Sequence, residues 1–366
     1  MNHVKSHRRE RGFSLVEIMV AALIGLIGSI VIFQVFAVSE GQKRTTTGSA
    51  DAQQGGILAL YSIERQARLA GYGINYLPLL GCDMQAYDVN TGRDPIPTFK
   101  LAAVRITDGA GGAPDSITFV YGDSALSVSP VRLNSTSAAS STIHKVNIRY
   151  GFNVGDVIVA AQVGAGSACT MQQVTDLPVS PAEDVVHNGL RYNKPGGFAS
   201  PSYAPWSNTT QTGGVLYNLG PAPGVVTFAI SSNQLTQLDL LTSATANAIM
   251  EGIIDLQAQY GVDSDGDGDI DAWNTTEPAN ATEWSRVLAL RIALLSRSGQ
   301  YERTAVTTAA PRWLDGTGAG TAFVMNNVDG TADSGAGSLG PNNWRNYRYR
   351  VFETTVPIRN QIWFPI

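Results

Sequence analysis

Cysteine, histidine and charged residues are all scarce in this chain of 366 residues. With 2 cysteines and 4 histidines, it has too few cysteines for a zinc or iron–sulfur site made of cysteine alone. Charged residues make up 15% and hydrophobic residues 43%, which excludes a disordered chain. The formal net charge of −5 disfavours a general nucleic-acid or anionic-lipid surface, because both partners are polyanions. No Gly-rich phosphate loop and no internal repeat are evident.

Turn-forming residues are abundant instead. Glycine occurs 38 times and proline 17 times without a collagen period, which is typical of antiparallel β structure. Apolar residues recur at helical spacing across 240–260 and predict a helix there. Short alternating or β-branched runs predict strands at 115–121, 146–150, 156–163, 224–230 and 287–295, and a final β-rich stretch at 347–364.

A long apolar run near the amino terminus predicts a membrane helix. Residues 13–38 contain only four polar side chains, Ser14, Glu17, Ser29 and Gln34. At 1.5 Å per residue such a helix is roughly 35–40 Å long, whereas a hydrocarbon core is about 30 Å thick. Basic residues dominate the segment before it, so the positive-inside rule predicts a cytoplasmic amino end with the bulk of the chain outside.

Glu17 distinguishes this run from an ordinary anchor. A cleaved secretory signal has a shorter apolar region followed by a small-residue exit, and this run lacks that exit. A plain signal anchor fits the length but does not explain a carboxylate near the helix start. In lipid that group costs a few kcal/mol unless it is neutral or paired. Glu17 therefore needs a partner.

The residues around Glu17 resemble the type IV prepilin signature. A short basic leader ends in Gly12, Phe13 is aromatic, and Glu17 is the fifth residue after the glycine. In that family a membrane peptidase cuts after the glycine and methylates the new amino terminus, which implies cleavage between Gly12 and Phe13. The ammonium created at Phe13 would neutralise Glu17 of a neighbouring subunit within the apolar bundle. This charge pair would then set the stagger between subunits.

The resemblance also implies a type IV pilin-like α+β fold, in which a long amino-terminal helix precedes an antiparallel β-rich head. We expect a cleaved leader at 1–12 and a transmembrane and fibre-core helix at 13–38. An extension of the helix at 39–73 and a periplasmic or extracellular head at 74–366 complete the expected organisation. Apolar residues at helical spacing support the extension, and the glycines at 71 and 73 would end it.

Three later segments, 61–73, 288–298 and 349–360, are similar to PilW-family minor pilins. That resemblance implies a non-enzymatic, low-abundance pilus subunit with no small-molecule substrate. Its expected partners are other minor pilins, the major pilin, a pilus-tip adhesin and the prepilin peptidase. It would begin in the bacterial inner membrane with its head in the periplasm, and would then join the pilus and support motility or adhesion.

Five aspartates at every second position form the clearest candidate metal site. They are Asp263, Asp265, Asp267, Asp269 and Asp271. They fit places 1, 3, 5, 7 and 9 of an EF-hand-type loop, with Gly268 at the sixth place where the chain must turn. Such a density of hard oxygen ligands predicts structural calcium, and the alternative is a solvated acidic turn. The twelfth place is Asn274 instead of glutamate, which leaves Glu277 or Glu283 as substitutes.

Cys82 and Cys169 are expected beyond the membrane, in an oxidising space where a disulfide is favoured. Closing a loop of this length contributes roughly 4–5 kcal/mol in the chain-entropy model. The alternative is that the two are unrelated small buried residues.

Two features suggest other functions. Gly122 to Ser124 with Asp184 to His187 resembles the Ser and Asp-x-x-His blocks of GDSL-type hydrolases. However, about sixty β-like residues separate the blocks, and a turn with a surface histidine is the simpler interpretation. Residues 344–350 interleave aromatics and arginines, which suits base stacking or a strand. The acidic total favours the strand, so nucleic acid is not an expected partner.

A minor pilin is therefore the predicted function. A type II secretion minor pseudopilin shares the leader and Glu17, but the large head and the PilW-like carboxyl segment favour the pilin. A membrane-tethered hydrolase that uses Ser124 and His187 is the alternative from a different class.

Overall fold

The computed structural model describes residues 12–362 except 75, 95, 126–128, 164–167, 200, 316–317 and 334–339. Of the predicted leader, residues 1–11 lie outside this part of the chain. The chain divides into two units, residues 1–50 and 51–366. The described helices are α1 (Leu15–Leu69), α2 (Ala281–Ser285) and α3 (Arg359–Ile362).

The first unit contains the amino-terminal part of α1, whose large apolar side chains are exposed. The helix is long and apolar enough to cross a membrane. This agrees with the predicted long apolar amino-terminal helix.

In the second unit, α1 presents an alanine-rich stripe to a hydrophobic core. Ala59, Ile63, Ala67 and Ala70 recur every three or four residues and are completely buried. The helix ends at Leu69, and Gly71 follows with a φ of +80°. The Gly71 N–H donates to the Val120 carbonyl at 2.9 Å, so the chain leaves the helix towards a strand.

The strands of the head range from 2 to 11 residues. They are β1 (Asp83–Gln85), β2 (Phe99–Lys100), β3 (Val104–Thr107), β4 (Ser116–Tyr121), β5 (Val131–Arg132), β6 (Ile143–Lys145), β7 (Val157–Val163), β8 (Ala168–Gln173), β9 (Asp184–Val186), β10 (Gly213–Gly220), β11 (Gly224–Ser231), β12 (Gln234–Asp239), β13 (Asn247–Glu251), β14 (Ile253–Val262), β15 (Ala272–Asn274), β16 (Val287–Arg297), β17 (Arg312–Trp313), β18 (Thr321–Ala322) and β19 (Tyr349–Pro357).

These strands form three main sheets with the orders β2-β1-β8-β7-β10-β5, β13-β12-β11-β4-β3 and β15-β14-β16-β19. Two pairs, β6 with β9 and β17 with β18, complete them. The pairing is antiparallel except between β1 and β8, which are parallel. The arrangement confirms the predicted fold of a long helix followed by an antiparallel β-rich head.

In the five-stranded sheet, the strands β4 and β11 pack against a hydrophobic core on each face. Phe119 packs in the core that contains the α1 stripe, whereas its neighbour Val120 packs in a second core with the six-stranded sheet. Val226 and Val225 divide between the two cores in the same way. Alternation along a strand therefore joins the helix side of the head to the six-stranded sheet.

The predicted helix over 240–260 is wrong. Residues 247–251 and 253–262 are strands, with a β-bulge between Ile253 and Asp255. The bulge adds one residue, so the inward-facing positions run from Ile253 to Leu256 and then to every second residue. A spacing of three between buried apolar residues is also typical of a helix, which explains the wrong prediction.

Among the described residues, the strand predicted at 146–150 is absent, and the β-rich stretch predicted at 347–364 is shorter in the structure. Val146 makes only an isolated bridge with Leu133, and the Phe152 N–H donates to the Arg149 carbonyl to close a turn. In the final stretch, β19 ends at Pro357 and α3 follows. Residues 363 and 364 of the predicted stretch lie outside the described part of the chain.

Candidate functional site

A capping box opens α1 at the predicted processing site. The Glu17 N–H donates to Ser14 Oγ at 3.2 Å, and the Ser14 N–H donates to Glu17 Oε2 at 2.9 Å. Two backbone donors that a helix start leaves unpaired are thereby satisfied. Ser-x-x-Glu is a recognisable sequence signal for this motif, although the capping box was not among the predictions.

The capping box holds the Glu17 carboxylate within one turn of the Gly12–Phe13 bond. Phe13 is 83% exposed and precedes the first helical residue, Leu15. The peptide bond predicted to be cut therefore lies outside the helix, with the acid beside it. An ammonium and a carboxylate so arranged on neighbouring subunits have the chemistry to form an ion pair.

The aspartate loop joins β14 to β15. Asp263, Asp265 and Asp267 bring one carboxylate oxygen each to within 4.8 Å of one another. The Gly268 N–H donates to Asp263 Oδ2 at 2.9 Å, and Gly268 has a φ of +94°. This left-handed conformation favours glycine at the turn.

The structure groups three of the five predicted ligands. Asp271 Oδ2 accepts from both the N–H and the hydroxyl of Ser264 at 2.7 Å. The exposed Asp269 contributes its N–H, which donates to Asp267 Oδ1 at 2.9 Å. Asp263, Asp265 and Asp267 therefore carry the candidate cation site.

The three carboxylates differ in their electrostatics. Burial of Asp263 raises its pKa, but backbone N–H groups of Gly266 and Gly268 outweigh that effect and leave the pKa lowered. The Asp267 N–H lowers the pKa of Asp265, but repulsion from nearby carboxylates, together with desolvation, leaves it raised. A bound cation would relieve this repulsion.

The residues considered for the twelfth ligand have other partners. Asn274 Oδ1 accepts from the Thr276 N–H at 3.1 Å. Glu277 forms an ion pair with Arg105 at 3.0 Å. Glu283 Oε1 accepts from Asn280 at the start of α2. The structure therefore gives no support to Glu277 or Glu283 as a bidentate ligand.

The predicted disulfide between Cys82 and Cys169 is present. Its Cα atoms lie 6.0 Å apart, and both residues are buried. Met84 pairs with Cys169 in the parallel β1–β8 ladder. The bond thus ties the chain just before β1 to the one parallel strand pair among the described sheets.

The structure does not assemble a triad from the residues of the alternative hydrolase interpretation. His187 stacks on His144 with ring centroids 4.2 Å apart, and His187 Nε2 has no hydrogen-bond partner. Asp184 accepts from Lys145 at 2.8 Å. The Ser124 carbonyl accepts from the Tyr72 hydroxyl at 3.3 Å. Serine, acid and histidine thus do not form the hydrogen-bonded chain that such chemistry requires.

Burial is the main cause of the lowered pKa values of His144 and His187. His144 Nδ1 lies 2.8 Å from Ser137 Oγ, and its Nε2 lies 2.7 Å from Gln172 Oε1. Desolvation lowers the pKa of His144 to about 4. Desolvation, together with His144, lowers the pKa of His187 as well. The expected surface histidine is therefore a buried, neutral one.

The aromatic and arginine residues at 344–350 serve packing. Residues 344–346 form a 3-10 turn, and the strand begins only at Tyr349. Arg345 lies over the Trp344 ring and pairs with Asp333 at 2.7 Å. Arg348 pairs with Glu302 at 3.1 Å. Acidic partners therefore already engage two of these arginines.

Comparison with known families gives two matches. Residues 228–360 match Type IV Pilus-assembly protein W, designated PilW, and residues 7–33 match the prokaryotic N-terminal methylation motif. No curated protein matches the chain. The first match covers two of the three segments on which the PilW resemblance was based, and the second covers the residues around Glu17.

Proposed function

We propose that this chain, which the two matches support as a type IV pilus minor pilin of the PilW family, helps to initiate pilus assembly. The observation that carries the proposal is the methylation motif at the start of α1. The same helix continues into the core of the head, where its alanine stripe is buried. An apolar helix and this motif fit a membrane-anchored pilin.

The processing step is cleavage between Gly12 and Phe13, followed by methylation of Phe13. Ser14 and Glu17 keep the helix start ordered through the capping box. After cleavage, Glu17 of one subunit accepts the terminal ammonium of its neighbour in an apolar bundle. Mass spectrometry of the native protein tests this step, and we expect a methylated Phe13 at the amino terminus. Retention of residues 1–12 on functional protein would contradict it.

Substitution at Glu17 tests the charge pair. Glu17→Gln keeps the shape and an acceptor for the Ser14 N–H, whereas Glu17→Ala removes both the charge and the cap. We expect both variants to be absent from sheared filaments while remaining in the membrane fraction. Ser14→Ala, which removes only the hydroxyl of the capping box, is the matched control and should still be incorporated. Normal incorporation of Glu17→Gln would show that the charge is not required.

The head lies in the periplasm while the helix is in the inner membrane, and it then becomes part of the pilus. Other minor pilins, the major pilin and a tip adhesin are the proposed partners. Deleting the gene should abolish surface pili and twitching while secretion of exoproteins continues. Loss of secretion with normal pili would instead identify a pseudopilin. Complementation with Ser124→Ala should be complete, because the proposed role needs no catalysis.

Calcium is the proposed cofactor of the aspartate loop, in a structural role. The support is the approach of three carboxylates between two strands of the PilW-like region. With a dissociation constant of about 10⁻⁴–10⁻³ M, 10 mM calcium would stabilise the head by roughly 1–3 kcal/mol. We expect a higher melting temperature in calcium than in chelator, and loss of this difference in Asp265→Asn. Asp269→Asn removes the same charge outside the group and should keep it. Identical melting in calcium and chelator would remove the proposal.

A further inference from the structure

A cavity of about 420 Å³ lies beside the four-stranded sheet. Asp255 of β14 and Arg297 of β16 line it, together with Asn233, Val324 and Asn327. This volume falls within the ordinary range for small-molecule sites. The cavity is separate from the aspartate loop and from the amino terminus.

Strand register brings an acid and a base together at this cavity. Asp255 pairs with Leu295, and Arg297 follows two residues later on β16. Because side chains alternate along a strand, Asp255, Leu295 and Arg297 share one face. Leu295 belongs to the small core on the face away from the α1 stripe. Asp255 and Arg297 are thus diagonal neighbours, about 7–8 Å apart at their Cα atoms.

Neither charge is neutralised within the described part of the chain. Asp255 is only 3% exposed and accepts from the Gln257 amide at 2.9 Å, with no cation beside it. Desolvation raises its pKa to about 6. The Arg297 guanidinium lies 5.1 Å from the centroid of the Tyr347 ring, and its Nε is buried without a hydrogen-bond partner. In the described part of the chain, Asp255 and Arg297 form no ion pair within 4 Å of each other, and both line the same cavity.

The charges of Asp255 and Arg297 limit the ligand, because the other charged residue of the lining, Asp329, accepts hydrogen bonds from Thr331 and Asn342. A metal cation would suit Asp255 but would be repelled by Arg297, and a simple anion would suit Arg297 but would be repelled by Asp255. A molecule with an ammonium and a carboxylate on the same carbon satisfies both. Asn327 offers a third polar contact, because its Oδ1 is buried without a hydrogen-bond partner and can accept a hydrogen bond from an ammonium.

The remaining wall is mixed: Ser232, Asn326 and Asp329 are polar, and its apolar part suits a short aliphatic side chain. Ile230, Ile254 and Val324 line the same cavity. We propose that this cavity binds a free aliphatic α-amino acid, with its ammonium on Asp255 and its carboxylate on Arg297. The inference does not depend on the pilus role, since it concerns a ligand of the folded head.

Calorimetric titration of the full chain in detergent with L-leucine tests the proposal. We expect saturable binding of one molecule per chain. N-acetyl-L-leucine lacks the ammonium and L-leucinamide lacks the carboxylate, and each should bind at least about tenfold more weakly because one charged contact is lost. These probes use the unaltered protein, so their result does not depend on the folding of any variant.

Single substitutions test whether the charges of Asp255 and Arg297 bind the ligand. Asp255→Asn and Arg297→Gln should each weaken L-leucine binding at least about tenfold. Arg291→Gln is the matched control, because Arg291 is on the same strand and lies 4.0 Å from the Trp273 ring centroid. It should bind L-leucine as the unaltered chain does. Circular dichroism and thermal melting of each variant establish that it is folded.

Three results would overturn the proposal. The first is no saturable binding of leucine, isoleucine or valine up to about 10 mM. The second is equal binding of L-leucine and its two blocked forms, which would show that the charges are not recognised. The third is calcium binding that Asp255→Asn abolishes, which would make Asp255 a metal ligand.

Discussion

The two ends of helix α1 use apolar residues in opposite ways. From Leu15 to Val38, its large apolar side chains are between 49% and 74% exposed and point to all sides. From Ala59 to Ala70, the apolar residues Ala59, Ile63, Ala67 and Ala70 form one stripe that is 0% exposed. A helix that is apolar on every side needs lipid or other helices around it, whereas a striped helix needs one sheet. One element is therefore built for two environments.

The largest effect is expected far from the helix, at the disulfide. Replacing both Cys82 and Cys169 with serine should reduce the free energy of unfolding by about 4–5 kcal/mol, because a loop spanning 87 residues is no longer closed. Urea denaturation of the full chain in detergent measures this change. Reduction of the unaltered protein should reproduce it, and an unchanged midpoint would mean that packing alone holds β1 to β8.

The comparison within α1 is tested directly by two matched substitutions. Ile63→Ala leaves a cavity in a fully buried stripe and should destabilise the head by about 2–5 kcal/mol. Ile24→Ala removes the same atoms from an exposed position and should leave the unfolding of the head unchanged. The same urea titration measures the change in the free energy of unfolding for both variants. Similar losses would mean that the two ends of the helix do not differ in the way described.

Two adjacent glycines of α1 differ in how closely other residues pack against them. A Cβ at Gly56 would lie 2.0 Å from the Phe352 ring, whereas one at Gly55 would meet its nearest atom at 3.6 Å. Gly56→Ala should therefore cost about 1–3 kcal/mol through overpacking. Gly55→Ala should add about 0.5–1 kcal/mol through helix propensity. The melting temperature should fall in Gly56→Ala and rise in Gly55→Ala. A rise in both variants would show that the Phe352 ring moves aside at little cost.

The smallest net effect is a dependence of head stability on pH, because two buried acids oppose two buried histidines. Because burial lowers the pKa of His144 to about 4, its contribution is complete above the unfolded value of about 6.5 and is lost as pH falls towards 4. His187 has the same sign. Between pH 6.5 and 5.5 each ring should cost about 1 kcal/mol. Unfolding measured across this range checks the slope.

Two buried acids have the opposite slope and must be separated from the histidines. Desolvation raises the pKa of Asp115 to about 7 and that of Asp255 to about 6, so they favour the folded state as pH falls. His187→Phe should therefore make the chain less sensitive to acid than the unaltered protein, while Asp255→Asn should make it more sensitive. Equal slopes in all three proteins would show that neither group titrates between the two states.

Local patterns were readable without the fold. The basic leader, Gly12, Phe13 and Glu17 lie within one short segment, so their spacing alone identified the methylation motif. The end of α1 after Leu69 was readable from the glycines that follow it. The strand predicted at 287–295 corresponds to β16 (Val287–Arg297), whose burial on both faces leaves a largely apolar run with Arg291 as the one charged residue before Arg297.

Patterns that depend on register were not readable. A single bulge at Ile253 changed the spacing of the inward-facing residues of β14 and imitated a helix. His187, expected on the surface, is buried because it stacks on His144 from β6. No sequence motif indicated that Asp255 and Arg297 lie close together, since they become neighbours only when β14 pairs with β16.

What the sequence alone determined is the chemistry of contiguous segments: the membrane helix, the residues at its start and the alternating aspartates. In these segments the backbone geometry of a helix or a loop converts spacing directly into position. Only the tertiary structure decided which distant residues meet, such as the stacked histidines and the acid and base of the cavity. These meetings follow from strand register and bulges, where a shift of one residue moves a side chain to the opposite face of the sheet.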